Sequence, residues 1–146
     1  MLKGIARHLR PGGIIVFHEP DWTGALSFPC APAYDRCVDW IVKTFHKVGT
    51  NPRMGLGLYS AFLAAGLPAP TMGLQALVGG EAGEANGLDL IADLAITMAP
   101  VMEQMAVATV AEVDPTTLHA RMHAEVKANG SVVIGRSEVG AWSVVP

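Results

Sequence analysis

The feature that most constrains the fold is a short apolar run, Ile14 to Phe17, that directly follows a Pro-Gly-Gly turn. Before the turn, apolar residues recur with the spacing of a helix that buries one face: Leu2, Ile5, Ala6 and Leu9. The run itself is continuous and mostly β-branched, which is typical of a strand buried on both faces in a parallel sheet. A helix, a glycine turn and a buried strand make half of a βαβ unit, so the pattern predicts an α/β fold.

The rest of the chain alternates between helical spacing and short strand patterns. Helices are predicted from Tyr34 to Val48, after Asn51 as N-cap, and across a long apolar segment that begins at Leu88. Alternating apolar residues predict a second strand from Thr71 to Val78, and one or two strands are predicted around a glycine near the C-terminus.

Composition narrows the class of protein. The chain has 146 residues, of which 51% are hydrophobic and only 16% are charged, against about 25% charged in typical domains. No apolar stretch is long enough for a membrane span, and no signal peptide is evident. The net charge of −3 argues against a nucleic-acid partner. Cys30 and Cys37 would be too far apart to form a disulfide if their region is helical, so we expect reduced thiols in a cytoplasmic protein.

Three segments, in order, resemble class I S-adenosylmethionine-dependent methyltransferases. "LRPGGIIVFHEPDW" is similar to the region around their fifth strand, "NPRMGLGLYSAFLAAGLPAP" to the helix before the sixth, and "VGAWSVVP" to the final strand. The resemblance implies a partial Rossmann-like methyltransferase sheet of about three strands with flanking helices, in a single domain of residues 1–146. Within it, Ala85 to Ala128 would be a helical cap inserted between the last two strands.

The chain also departs from that family. There, the first half of the domain holds the cofactor, through a glycine-rich turn and an acidic residue that binds the ribose hydroxyls. No such turn and acidic residue occur here at the required spacing. We therefore expect no cofactor-binding residues, and no S-adenosylmethionine bound by this chain alone.

Two functional interpretations follow. The chain could be the C-terminal half of a methyltransferase for a small-molecule acceptor, inactive by itself. Alternatively, it could be a non-catalytic dimeric module that binds a hydrophobic ligand. Whether this chain is itself an enzyme stays open.

His18 and Glu19 stand where the first strand ends, and ligands gather at the carboxyl ends of strands in open α/β sheets. Either residue could line a substrate pocket or act as a general base. Adjacent strand residues point to opposite faces of a sheet, so at most one of His18 and Glu19 can face a given pocket. The alternative is that both residues lie at a solvated strand end and make only a structural hydrogen bond. We favour this alternative, because the chain lacks the half of the domain that would hold the cofactor.

Trp22 and Tyr34 could frame an apolar pocket for the acceptor, although aromatic residues are more often core. Arg53 and Met54 begin a helix that, by the resemblance, faces this pocket. Arg53 could bind a substrate anion there, or it could simply be a solvent-exposed arginine.

His119 and His123 share a face of a predicted helix at a spacing that suits two zinc ligands. The H-E-x-x-H arrangement and an obvious third ligand are both missing, so a polar surface is the favoured interpretation and no metal site is predicted. Finally, the strand that contains Ile14 would lie at the edge of the partial sheet. Unpaired edges favour association, and we therefore expect a homodimer formed through this edge.

Overall fold

The computed structural model of the chain describes residues 4–5, 7–80 and 87–146. Within these residues the chain forms four strands: β1 (Ile14–Asp21), β2 (Leu26–Phe28), β3 (Thr71–Gly79) and β4 (Val132–Val144). The described residues also form the helices α1 (Pro32–Lys47), α2 (Met54–Ala64), α3 (Gly87–Gln104), α4 (Val110–Val113) and α5 (Leu118–Asn129). The predicted α/β class is therefore confirmed. Leu2 and Ala6 of the predicted first helix, and residues 85–86 of the predicted insertion, lie outside the described residues.

The four-stranded sheet is antiparallel and is organised around β4, which pairs with each of the other strands. β1 lies along the second half of β4, with Ile14 opposite Val144 and Asp21 opposite Ser137. β2 pairs with residues 132–134 at the start of β4. The sheet thus has one strand more than the three expected, because the sequence analysis did not predict the short strand β2. The C-terminal pattern of one or two strands is a single strand of 13 residues.

The chain divides into two compact units, and the division falls within β3 and β4. The first unit comprises residues 1–21, 53–75 and 137–146. Its small core forms where Leu58 and Phe62 of α2 meet Ile15 and Ala141 of the sheet. The Phe62 ring also meets Phe17 edge-on, with ring centroids 6.1 Å apart. In this unit α2 therefore covers one face of the sheet.

The second unit comprises residues 22–52 and 76–136. In it α1 packs against α3 and α5. Large apolar side chains at helical spacing, including Tyr34, Ile41, Ile91 and Met122, fill its core. From residue 87 onward the predicted insertion is helical as expected. Among the described residues, no helix is both long enough and apolar enough to cross a membrane.

The prediction that Ile14 to Phe17 is buried on both faces of a parallel sheet is wrong. Ile15 is 3% exposed, but Ile14 and Val16 are 63% and 62% exposed. β1 pairs antiparallel with β4, and only the face that carries Ile15 is covered by α2. A run of β-branched residues indicates that a segment favours the strand conformation. It does not indicate how many faces of that strand neighbouring elements cover.

The start of α2 differs from the prediction as well. Asn51 was expected to cap the helix, but Arg53 occupies the N-cap position and Met54 is the first helical residue. The carbonyl oxygen of Pro52 accepts a hydrogen bond from the backbone N–H of Trp22. This contact holds the segment before Arg53 outside the helix.

Candidate functional site

The ionisable residues that the sequence singled out, His18 and Glu19, were expected at the end of the strand, but they lie within it, because β1 continues to Asp21. His18 lies on the same face of the sheet as Glu138, and its Nε2 atom is 3.5 Å from the Glu138 Oε2 atom. The His18 side chain is 62% exposed and that of Glu138 is 33% exposed, so solutes can reach the pair. An imidazole beside a carboxylate can accept a proton, because the carboxylate stabilises the imidazolium that forms. Glu138 was missed in the sequence, since no local pattern links it to His18.

Glu19 points to the other face of the sheet, opposite Val139, where it is half-buried. The two adjacent candidates therefore do not converge, as the alternation of strand residues requires. Of the pair, only His18 faces solvent beside a second ionisable group.

Asp21 at the last position of β1 is a second residue that sequence reasoning missed. It is only 2% exposed, and its Oδ2 atom accepts a hydrogen bond from the backbone N–H of Leu56 at 3.2 Å. A carboxylate at a helix N-terminus is stabilised by the free N–H groups of the first turn. Asp21 therefore ties the start of α2 to the end of β1, close in sequence to His18 and Glu19. The available signal in the sequence was the acidic residue Asp21 in "HEPDW", close to His18 and Glu19.

Arg53 and Met54 take different places at that start of α2. Arg53 is exposed at the N-cap, whereas Met54 is half-buried against the small core of the first unit. In this unit Met54 thus lies towards the core, and Arg53 lies at the surface.

Trp22 and Tyr34 belong to the core of the second unit. Trp22 is 5% exposed and its ring contacts Phe45 at a centroid distance of 5.8 Å. Tyr34 is fully buried, and its hydroxyl donates a hydrogen bond to the carbonyl oxygen of Ile134 at 2.8 Å. Burial raises the pKa of Tyr34 well above its usual range. Both side chains serve packing in the positions described, in line with the core alternative.

A cleft between α1 and α5 lies in the same unit and has a volume of about 40 Å³. Its lining includes Arg36, Cys37, Trp40, Arg121 and Glu125. Small-molecule sites typically measure roughly 300–1,000 Å³, so this cleft suits a water molecule and not a methyl acceptor. Burial raises the pKa of Cys37 to about 11, which keeps the thiol protonated and poorly nucleophilic at neutral pH.

His119 and His123 are engaged by two carboxylates of α3. The His123 Nε2 atom lies 2.8 Å from Asp89 Oδ1, and the His119 Nε2 atom lies 2.9 Å from Asp93 Oδ1. The hydrogen bond from His123, and then that from His119, hold the pKa of Asp89 below its usual range. Across the described ranges, no group of three His, Cys, Asp or Glu side chains is arranged to hold a metal ion. These contacts join α3 to α5 at the surface of the second unit.

No family model matches the chain, and no curated protein matches it.

Proposed function

We propose that the chain is the C-terminal half of an S-adenosylmethionine-dependent methyltransferase domain that acts on a small molecule. The observation that carries this proposal is the pairing of the strands. β4 is antiparallel to β1 and also pairs with β3, as expected for the last strand of such a sheet inserted between its fifth and sixth strands. Among the described strands β1 pairs only with β4, which is consistent with a further strand along its other edge.

The start of α1, the helix that follows β2, does not fit the methyl donor, because carboxylates occupy it. Asp35 accepts from the backbone N–H of Ser27, and Glu125 accepts from that of Ala33 at 2.6 Å. Such a turn offers no free backbone for close approach to a nucleotide-like ligand. In our proposal the donor is therefore held by an N-terminal half, and no transfer step is derived for this chain.

The contribution of this chain would be at the acceptor. His18 is exposed beside Glu138 in the second half of β1, on the face of the sheet that α2 does not cover. There His18 could take a proton from an acceptor hydroxyl or amine, while Glu138 stabilises the resulting imidazolium. We also propose a cytoplasmic location, which two free thiols favour and which cell fractionation would test.

The test begins with the genomic DNA upstream of Met1. We expect an in-frame segment within about 150 codons that encodes a glycine-rich turn after a strand and an acidic residue about 20 positions later. The extended chain should bind S-adenosylhomocysteine in calorimetric titration with a Kd below about 100 μM, roughly −5.5 kcal/mol. The 146-residue chain should not bind it.

Three outcomes would overturn the proposal: no such upstream segment, an extended chain that does not bind, or binding below about 10 μM by the 146-residue chain alone. In the extended chain, His18→Gln should lower kcat while the affinity for S-adenosylhomocysteine stays unchanged. Glu19→Gln is the matched control, because Glu19 lies on the other face of β1.

The alternative function is a non-catalytic module that dimerises. It is favoured by the apolar sheet face described next, whereas the cleft between α1 and α5 offers no space for a hydrophobic ligand.

A further inference from the structure

The face of β1 and β4 that points away from α2 carries four exposed apolar side chains. Ile14 is 63% exposed, Val16 62%, Val144 55% and Trp142 41%. They form two cross-strand pairs in register, with Ile14 opposite Val144 and Val16 opposite Trp142. We call these four residues the open face. All four belong to the first unit, so the open face is one continuous surface.

The open face differs from the scattered apolar residues of an ordinary surface. Along both strands the alternate residues, such as Ile15 and Ala141, are buried beneath α2, so the sheet is covered on one side only. On β3, Gly73 lies against the Trp142 ring, since a Cβ atom added there would be in van der Waals contact with it at 3.8 Å. β3 thus covers part of the ring, and 41% of Trp142 stays exposed. Contiguous apolar patches of this kind mark interaction surfaces, whereas single exposed residues do not.

We propose that the open face is the interface of a homodimer in which two copies pack sheet face against sheet face. In a dimer with a two-fold axis, the open face of one copy packs against the open face of the other, and the side chains of the two sheets interdigitate. Trp142 would be the anchor, because tryptophan is strongly enriched among residues that dominate binding. A chain with only 16% charged residues also has little charge with which to oppose self-association.

The size of the surface supports a second copy as the occupant. At these exposures the four side chains present roughly 400 Å² of apolar surface per copy. With the polar rim, which includes His18, a symmetric pair would bury roughly 1,000 Å² in total, close to the lower limit for a specific interface. We therefore expect a reversible dimer with a dissociation constant in the micromolar range. The proposal does not rest on the methyltransferase function, because a strand added at the edge of β1 would use a different surface.

Light scattering coupled to size exclusion, run from about 5 to 200 μM protein, tests this inference. At the upper end we expect twice the mass of the 15.3 kDa chain. Val16→Lys places a charge at the centre of the open face and should weaken dimerisation at least tenfold. Leu63→Lys is the matched control, because Leu63 is 48% exposed on α2 in the same unit and should leave the dimer intact. Far-UV circular dichroism checks that each variant is folded.

Trp142→Gln provides a second variant if Val16→Lys does not fold, and it should weaken the dimer to a similar extent. A wild-type mass near 15.3 kDa at every concentration would refute the interface. A dimer that withstands the open-face substitutions would also refute it, and would point instead to pairing along the edge of β1. A dimer that is lost as readily in Leu63→Lys would show that the open face is not its specific site.

Discussion

Replacing Gly55 by alanine tests whether the close approach of α2 to the sheet organises the first unit. Gly55 is the second residue of α2, and a Cβ atom there would lie 2.8 Å from Val139 Cγ2 and 2.9 Å from Asp21 Cβ. Val139 and Asp21 are 1% and 2% exposed, so neither side chain can turn into solvent to make room. The helix must instead move away from the sheet, and this movement strains the hydrogen bond between the Leu56 N–H and Asp21.

The expected change in the free energy of unfolding is the sum of opposing effects. In an unconstrained helix, alanine is favoured over glycine by about 1 kcal/mol. Inserting a methyl group into a closely packed contact costs about 1–3 kcal/mol. Weakening the bond to the buried Asp21 carboxylate adds about 1 kcal/mol or more. We therefore expect Gly55→Ala to lower the free energy of unfolding by about 2 kcal/mol, although helix propensity alone predicts a gain.

The assay is urea unfolding followed by circular dichroism, with thermal melting as a second measurement. For a chain of this length, about 2 kcal/mol corresponds to a Tm lower by roughly 4–8 °C. Gly140→Ala is the control, because Gly140 is on β4 in the same unit and a Cβ there meets no atom within 4 Å. Its stability should stay within about 0.5 kcal/mol of the wild type. If Gly55→Ala proves as stable as the wild type or more stable, the close contact between α2 and the sheet does not exist as described.

Three further predictions concern the second unit. Tyr34→Phe should lower the free energy of unfolding in urea by about 1 kcal/mol, because the carbonyl of Ile134 loses its buried hydrogen bond; an unchanged value would contradict this role. Because His123 lowers the pKa of Asp89, the stability that the carboxylate contributes should be present above about pH 4 and lost as the pH falls through the lowered pKa. The excess stability of the wild type over Asp89→Asn should therefore disappear near pH 2, and an excess that persists there in thermal melts would refute the link. With a pKa of about 11, Cys37 should stay unmodified by iodoacetamide at pH 8 until urea is added, and mass spectrometry of the native protein would reveal any earlier reaction.

The sequence by itself determined where most elements lie. The alternation from Thr71 to Val78 predicts β3 almost to the residue, and helical spacing predicts α1 and the helical character of the described insertion. It also identified His18 and Glu19 as ionisable residues that follow the apolar run, although it placed the end of β1 at these residues and the strand continues to Asp21. These properties depend on periods of two and 3.6 residues, which can be read within a short window.

Only the tertiary structure decided which surfaces are covered and which side chains meet. The period of β1 does not reveal that α2 covers Ile15 and leaves Val16 exposed, since that depends on how many helices reach the sheet. The pairing of His18 with Glu138 depends on the register between β1 and the far end of the chain. Likewise, the burial of Tyr34 is decided by packing between helices distant in sequence. Such contacts join residues that are far apart in the sequence, and a periodic pattern within a short window contains no information about them. They are therefore determined only when the whole chain packs.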